Sequence, residues 1–136
     1  MQKQLDFSSN EASFRCLNCH EIISNQAWGT SHRNHCPLCL WCKHVDLKTP
    51  GDRRSECQAR MKPIGLTTKA KGELAIVHEC LKCGRLSSNR IAGDDNPYSM
   101  LSLLDLPVQN RRIPMLALED REQVLTALFG YNHPDI

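Results

Sequence analysis

The sequence has no long apolar run and few aromatic residues. Its longest aliphatic runs, such as Leu74–Val77, fall far short of the ~18 residues that span a bilayer, which argues against a transmembrane protein. With 2 Trp, 2 Tyr and 3 Phe in 136 residues, it also offers little for an open aromatic surface on which single-stranded bases stack. The first residues show no apolar core typical of a secretion signal, so we expect a cytoplasmic protein.

Cysteine is the residue type that the sequence does have in quantity, with 8 in the chain. In a reducing compartment, clustered cysteines are more often metal ligands or catalytic thiols than disulfides. A chain of this size buries only about two thirds of the surface that its unfolded form exposes, so its apolar core is thin. We therefore expect bound metal to supply part of the folding energy.

The two ends of the chain differ in charge and in pattern. Residues 1–93 carry 14 Lys and Arg against 8 Asp and Glu, whereas residues 94–136 carry 3 against 7. We divide the chain into a loose N-terminal arm at 1–12, a metal-binding domain at 13–105 and a helical extension at 106–136. The basic charge of the cysteine-rich part suits weak attraction to a phosphate backbone.

Local patterns predict an α+β fold with short antiparallel strands followed by C-terminal helices. The segments 61–68 and 73–79 flank the loop 69–72 and indicate a hairpin. Asn96 followed by Pro97 predicts the start of a helix that runs to residue 105. A second helix is predicted from about 116 to 129, and its apolar stripe comprises Ala117, Val124, Leu125 and Leu128.

The spacing of the cysteines predicts a small zinc-ribbon-like domain with two metal sites. Cys16 and Cys19 are followed, after 16 intervening residues, by Cys36 and Cys39, which is the spacing of a four-cysteine zinc site. Two residues between ligands allow one tight turn to place both sulfurs about 3.7 Å apart on a tetrahedral ion with Zn–S near 2.3 Å.

A third pair, Cys80 and Cys83, needs two further ligands to close a second site. Cys57 is one, because it is the remaining cysteine without a neighbouring partner. For the fourth ligand we favour His44, and Cys42, His78 and His35 remain rivals. His78 shares a strand face with Cys80 and is also suited to orienting a ligand without touching the metal. The predicted cofactor is two Zn²⁺ ions, both structural, because four protein ligands leave no position for water.

The chain contains, in order, the motifs Arg33–Pro37, Cys39–Leu40, His44–Asp46, Pro50–Arg53 and Asn89–Asn96. Together they resemble the bacterial RNHCP family, and the resemblance covers roughly residues 14–104. The chain departs from the family pattern at Cys42, where serine is common, and at His20, where glycine often follows the cysteine pair. The first departure favours His44 as the ligand. The resemblance implies a small zinc-binding cytoplasmic domain and carries no established activity.

Polar residues beside the cysteine pairs suggest binding to structured RNA or to a ribonucleoprotein, as in translation or on the ribosome. Arginines there suit phosphates, and asparagines suit a base edge or a 2′-hydroxyl. The competing structural interpretation pairs Arg90 with Asp94 or Asp95 and uses Asp95 or Asn96 as a helix cap. The candidate RNA-binding residues are Arg33, Asn34, Arg53, Asn89 and Arg90.

Two other functions compete with RNA binding. The acidic helix at 116–129 would let the protein act as an adaptor that binds a protein partner, although ordinary packing on the domain explains the same stripe. A zinc enzyme would need a metal with only three protein ligands, and neither His-Glu-x-x-His nor the deaminase signature occurs in the sequence. We therefore expect a binding role more than a catalytic one.

Overall fold

A computed structural model describes residues 13–24, 35–44, 54–107 and 111–129. The predicted α+β class is confirmed: antiparallel strands in two sheets precede two helices. The N-terminal arm at 1–12 lies outside the described residues. The strands are β1 (Ser13–Arg15), β2 (Ile22–Ser24), β3 (Cys42–Lys43), β4 (Arg60–Thr68), β5 (Leu74–Cys80) and β6 (Leu86–Arg90), and the helices are α1 (Pro97–Ser102) and α2 (Arg121–Phe129).

The larger sheet has the strand order β3-β4-β5-β6, with every neighbouring pair antiparallel. The predicted hairpin is confirmed as β4 and β5, which are joined through a short 3-10 turn at Ala70–Gly72. A register shift between Pro63 and Gly65 bends β4. β1 and β2 form a separate two-stranded sheet near the N-terminus of the described chain.

The helices cover one face of the larger sheet. Asn96 caps α1 as predicted, because its side-chain oxygen accepts hydrogen bonds from the amides of Tyr98 (2.8 Å) and Ser99 (3.2 Å). The last predicted turn of this helix is a tighter 3-10 turn, Leu103–Asp105. The buried core between helices and sheet contains Leu40, Leu66, Leu74, Ile76, Met100, Leu101, Leu103, Leu104, Val124 and Leu125.

The final helix begins later than the sequence predicted. Residues 118–120 form a 3-10 turn and α2 starts at Arg121. The Asp120 carboxylate accepts a hydrogen bond from the Ala117 amide at 2.7 Å, and this capping contact sets the later start. Val124 and Leu125 of the predicted stripe are buried in the core, so these two side chains are not displayed to a partner.

Residues 111–117 run along the part of β4 that β3 does not reach. The Leu116 amide donates to the Leu66 carbonyl at 2.8 Å, and Met115 lies against Gly65 where a larger residue would clash. Arg111 reaches the Glu79 carboxylate at 2.6 Å. This segment therefore completes the sheet edge. The longest helix of the described chain, α2, has 9 residues, too few to cross a membrane.

Candidate metal centres

The three Cys-x-x-Cys loops fold alike, each between two antiparallel stretches of backbone: β1 and β2, the isolated His35–Cys42 bridge, and β5 and β6. In each loop, the carbonyl of the first cysteine accepts a hydrogen bond from the amide four residues later. The amide of the same cysteine donates a hydrogen bond to the carbonyl five residues later. Both cysteine side chains thereby point to one side of the loop. The first bond joins His20 to Cys16, Leu40 to Cys36 and Gly84 to Cys80, and the second joins Cys16 to Glu21, Cys36 to Trp41 and Cys80 to Arg85, all at 2.8–3.0 Å.

The residue after the second cysteine adopts a left-handed backbone in every loop. Its φ is +69° at His20, +69° at Leu40 and +77° at Gly84. Glycine adopts this conformation without cost, whereas other residues pay about 1 kcal/mol or more for it. Leu40 is fully buried in the core, so packing holds it in place, but His20 is exposed and has no such compensation.

Backbone amides favour the ionised form of the first cysteine in two of these loops. Burial acts to raise the pKa of Cys80, but hydrogen bonds with the amides of Cys83 and Lys82 and with the His44 and Cys57 side chains together lower the pKa to about 6. The pKa of Cys16 is likewise lowered, despite burial, by the amides of Cys19 and Asn18. A thiolate is the form of cysteine that binds a metal, so these two loops favour ligation.

Four sulfurs from the first two loops meet in what we call the four-cysteine cluster: Cys16, Cys19, Cys36 and Cys39. Their ligand atoms all lie within 4.8 Å of one another. The Sγ atoms of Cys16 and Cys39 are 3.6 Å apart, and those of Cys19 and Cys36 are 3.7 Å apart. These separations match the edge of a tetrahedron with zinc–sulfur bonds of about 2.3 Å.

The third loop meets His44 and Cys57 in what we call the histidine-containing cluster: His44, Cys57, Cys80 and Cys83, again within 4.8 Å. The Sγ atoms of Cys57 and Cys80 are 3.6 Å apart, and His44 Nδ1 is 3.5 Å from Cys83 Sγ. Backbone pairing places the histidine beside Cys57: its amide donates to the Ala59 carbonyl and its carbonyl accepts from the Gln58 amide. Cys83 is exposed, so this cluster lies nearer the surface than the four-cysteine cluster.

A family model, the RNHCP domain, matches residues 11–101 and so spans both clusters. The chain belongs to the RNHCP family. Searches of curated proteins and of solved structures found no match.

The rival fourth ligands of this RNHCP domain lie outside both clusters. The Cys42 thiol contacts the Lys43 carbonyl at 3.3 Å and the Met61 sulfur at 3.9 Å, so it is a packed side chain. His78 is fully buried, and its Nε2 lies 2.6 Å from the Leu40 carbonyl. His35 pairs with Asp95 at 2.8 Å. None of these three is among the ligand atoms that the structure groups together.

His78 connects the two clusters. Burial, with the nearby His35 adding to it, lowers the pKa of His78 to about 3, so the ring is neutral at pH 7. Because a carbonyl only accepts, Nε2 carries the proton and donates it to Leu40, the residue after Cys39. His78 itself lies two residues before Cys80. One side chain therefore fixes the backbone beside a ligand of each cluster.

The sequence suggests Asp95 as a helix cap or a partner of Arg90, but in the structure its side-chain partner is His35. Asp95 is buried, and one carboxylate oxygen accepts from both the Ala92 amide (2.7 Å) and His35 Nε2 (2.8 Å). This contact connects the loop before α1 to the second cysteine loop. A second contact does the same, because the Asn96 amide donates a hydrogen bond to the Pro37 carbonyl. The His35-Cys36 adjacency was visible in the sequence, but its acidic partner lies 60 residues away.

The candidate RNA-binding residues do not gather in the described chain. Arg33, Asn34 and Arg53 lie outside the described residues. Asn89 Nδ2 is 3.4 Å from His78 Nδ1, which turns this side chain toward the domain interior. Arg90 is exposed and lies 3.5 Å from the Glu73 carboxylate, whereas the structural interpretation of the sequence paired it with Asp94 or Asp95.

Proposed function

We propose that this RNHCP protein holds two Zn²⁺ ions, one in each cluster, as structural elements. The observation that carries the proposal is the presence of two separate groups of four sulfur and imidazole donors, each within 4.8 Å of one another. Thiolate and imidazole ligands suit zinc, and four protein ligands close each site to water. Each ion would contribute on the order of 10 kcal/mol to folding.

Metal content per chain tests this assignment. We expect two zinc ions in the natural chain and in Cys42→Ser, because the Cys42 thiol is directed at a carbonyl and a thioether. We expect about one ion in Cys57→Ser and about one in Cys19→Ser. If Cys42→Ser loses an ion while His44→Ala keeps both, the ligand set is wrong.

We further propose that the zinc-stabilised domain binds structured RNA or a ribonucleoprotein. Support comes from the excess of Lys and Arg over Asp and Glu in residues 1–93 and from closed metal sites, which suit a binding module better than an enzyme. The adaptor alternative is weakened, because Val124 and Leu125 are buried in the core. Retention on an RNA column should fall steeply between about 50 and 200 mM salt. No retention at the lower salt would refute RNA binding.

A further inference from the structure

One end of the larger sheet displays basic side chains on the face opposite the helices. Residues alternate between the two faces of a strand, so Arg60 and Lys62 point away from Met61, which is buried. Lys43 is the register partner of Arg60 on β3 and lies on the same face. Arg60 and Lys62 are exposed and Lys43 is half-buried.

An aromatic ring lies within this group. The Arg60 guanidinium carbon is 5.3 Å from the centre of the half-buried Trp41 ring, which is a cation–π contact. The contact holds the guanidinium over the indole face. A stacked guanidinium is a surface on which a base or ribose packs while its N–H groups reach a phosphate.

The carboxylate directly opposite Lys62 in the sheet is already paired. Glu79 is the register partner of Lys62 on β5, but its carboxylate binds Arg111 at 2.6 Å. Among the described residues, Lys62 and Lys43 make no salt bridge. Within the part of the protein that the structure describes, the positive charge of the two lysines is therefore not neutralised by a carboxylate.

The rest of this face is covered, which confines the open region to one end. Met115 lies over Gly65, and Val77 and Ala75 farther along β5 are fully buried. The open end adjoins the histidine-containing cluster, because the Leu81 amide of the third cysteine loop donates to the Arg60 carbonyl. We call this open region, formed by Trp41, Lys43, Arg60, Lys62 and Arg111, the basic sheet face.

We propose that the basic sheet face binds the phosphodiester backbone of RNA, with Lys43 and Lys62 contacting phosphates and the stacked Arg60 packing against a nucleotide. The proposal rests on the proposed RNA-binding function and adds to it the surface and the contacts. Charge complementarity selects the occupant, since Lys43 and Lys62, which have no salt bridge among the described residues, lie beside an aromatic ring and match a polyanion with flat bases.

The test is a titration of a short RNA hairpin against the zinc-loaded full chain at several salt concentrations, followed by fluorescence anisotropy. We expect the double variant Lys43→Gln/Lys62→Gln to bind about tenfold more weakly per lost contact at 50 mM salt. The slope of log affinity against log salt should become shallower by about 0.7–0.9 for each lost phosphate contact. Arg60→Lys keeps the charge but loses the planar stack, so we expect weaker binding with an unchanged slope.

A matched control removes the same charge away from the basic sheet face: Lys69→Gln at the β4–β5 turn together with Arg121→Gln at the start of α2. It should bind like the natural chain. Equal losses in both double variants would overturn the basic sheet face and leave RNA binding standing. Absence of binding by the natural chain would overturn RNA binding itself. Polyglutamate binding as tightly as RNA, with the same dependence on Lys43 and Lys62, would replace RNA with an acidic protein partner.

Discussion

Replacing His78 with Phe should weaken the four-cysteine cluster more than the histidine-containing cluster. The phenyl ring fills nearly the same volume, so the cavity cost is small. What is lost is the hydrogen bond from His78 Nε2 to the Leu40 carbonyl, at 2.6 Å in a fully buried position, together with the longer 3.4 Å contact between His78 Nδ1 and Asn89 Nδ2. A buried acceptor left without a donor costs about 1–3 kcal/mol.

Leu40 follows Cys39 directly and has a left-handed backbone, so the lost bond loosens the second cysteine loop. A cost of about 2 kcal/mol corresponds to about 30-fold weaker metal binding if it falls entirely on that site. The assay is stepwise removal of cobalt by a chelator, since four-sulfur and three-sulfur, one-nitrogen sites differ in their absorption spectra. Cobalt should leave the four-cysteine cluster of His78→Phe at a free chelator concentration about 30-fold lower than the concentration that removes it from the natural chain.

Ser99→Ala is the matched control, because the Ser99 hydroxyl donates to the Leu38 carbonyl of the same loop at 3.0 Å but in an exposed position. Water replaces that bond, so the change should cost within about 0.5 kcal/mol. The reasoning is refuted if the two variants release cobalt alike, or if His78→Phe loses it first from the histidine-containing cluster.

Three further substitutions test the local geometry, each by urea unfolding of the zinc-loaded chain. His20→Gly should stabilise by about 0.5–1 kcal/mol, because glycine adopts the left-handed backbone freely but loses more entropy on folding; a destabilised variant would contradict this. Asp95→Ala should lower the free energy of unfolding by about 3 kcal/mol or more, because it leaves the buried Ala92 amide and His35 Nε2 without their acceptor. A loss within about 0.5 kcal/mol would show that the contact is dispensable. Gly65→Val should displace Met115, cost about 1–3 kcal/mol and speed proteolysis near residue 111; unchanged proteolysis would refute that packing.

The cysteine loops were predictable because their geometry is local. Two intervening residues fix each loop, and the sequence shows all three pairs. The fourth ligand of the second site was harder, because Cys42, His44 and His78 all point to the same face of the sheet as Cys80. They differ in how far along the strands they lie from Cys57 and Cys80. For Cys42 and His44, that position is set by the register in which β3 pairs with β4. A single sequence carries no direct record of that register.

Elements that depend on distant contacts were missed for the same reason. β6 contains two serines, an asparagine and an arginine, so its sequence gives little sign of a strand; pairing with the buried β5 makes it one. Residues 111–117 have no regular apolar period and are held by contacts to Gly65, Leu66 and Glu79. The start of α2 depends on a capping carboxylate inside a segment that the apolar stripe alone assigned to the helix.

The two clusters and the C-terminal segments together determine which surface stays open. The helices occupy one face of the larger sheet, and Met115 occupies part of the other. The cysteine loops close the ends of strand pairs, where unpaired backbone would otherwise be exposed. Within residues 13–24, 35–44, 54–107 and 111–129, the part of that second face left uncovered is the short region around Arg60, next to the histidine-containing cluster. A zinc ion there, with three thiolates, would add one negative charge, which the surrounding lysines and arginines exceed. Loss of that ion would free the backbone that holds Lys43 and Arg60 in register, so the proposed RNA binding should depend on zinc although the proposed contacts are made by side chains that are not metal ligands.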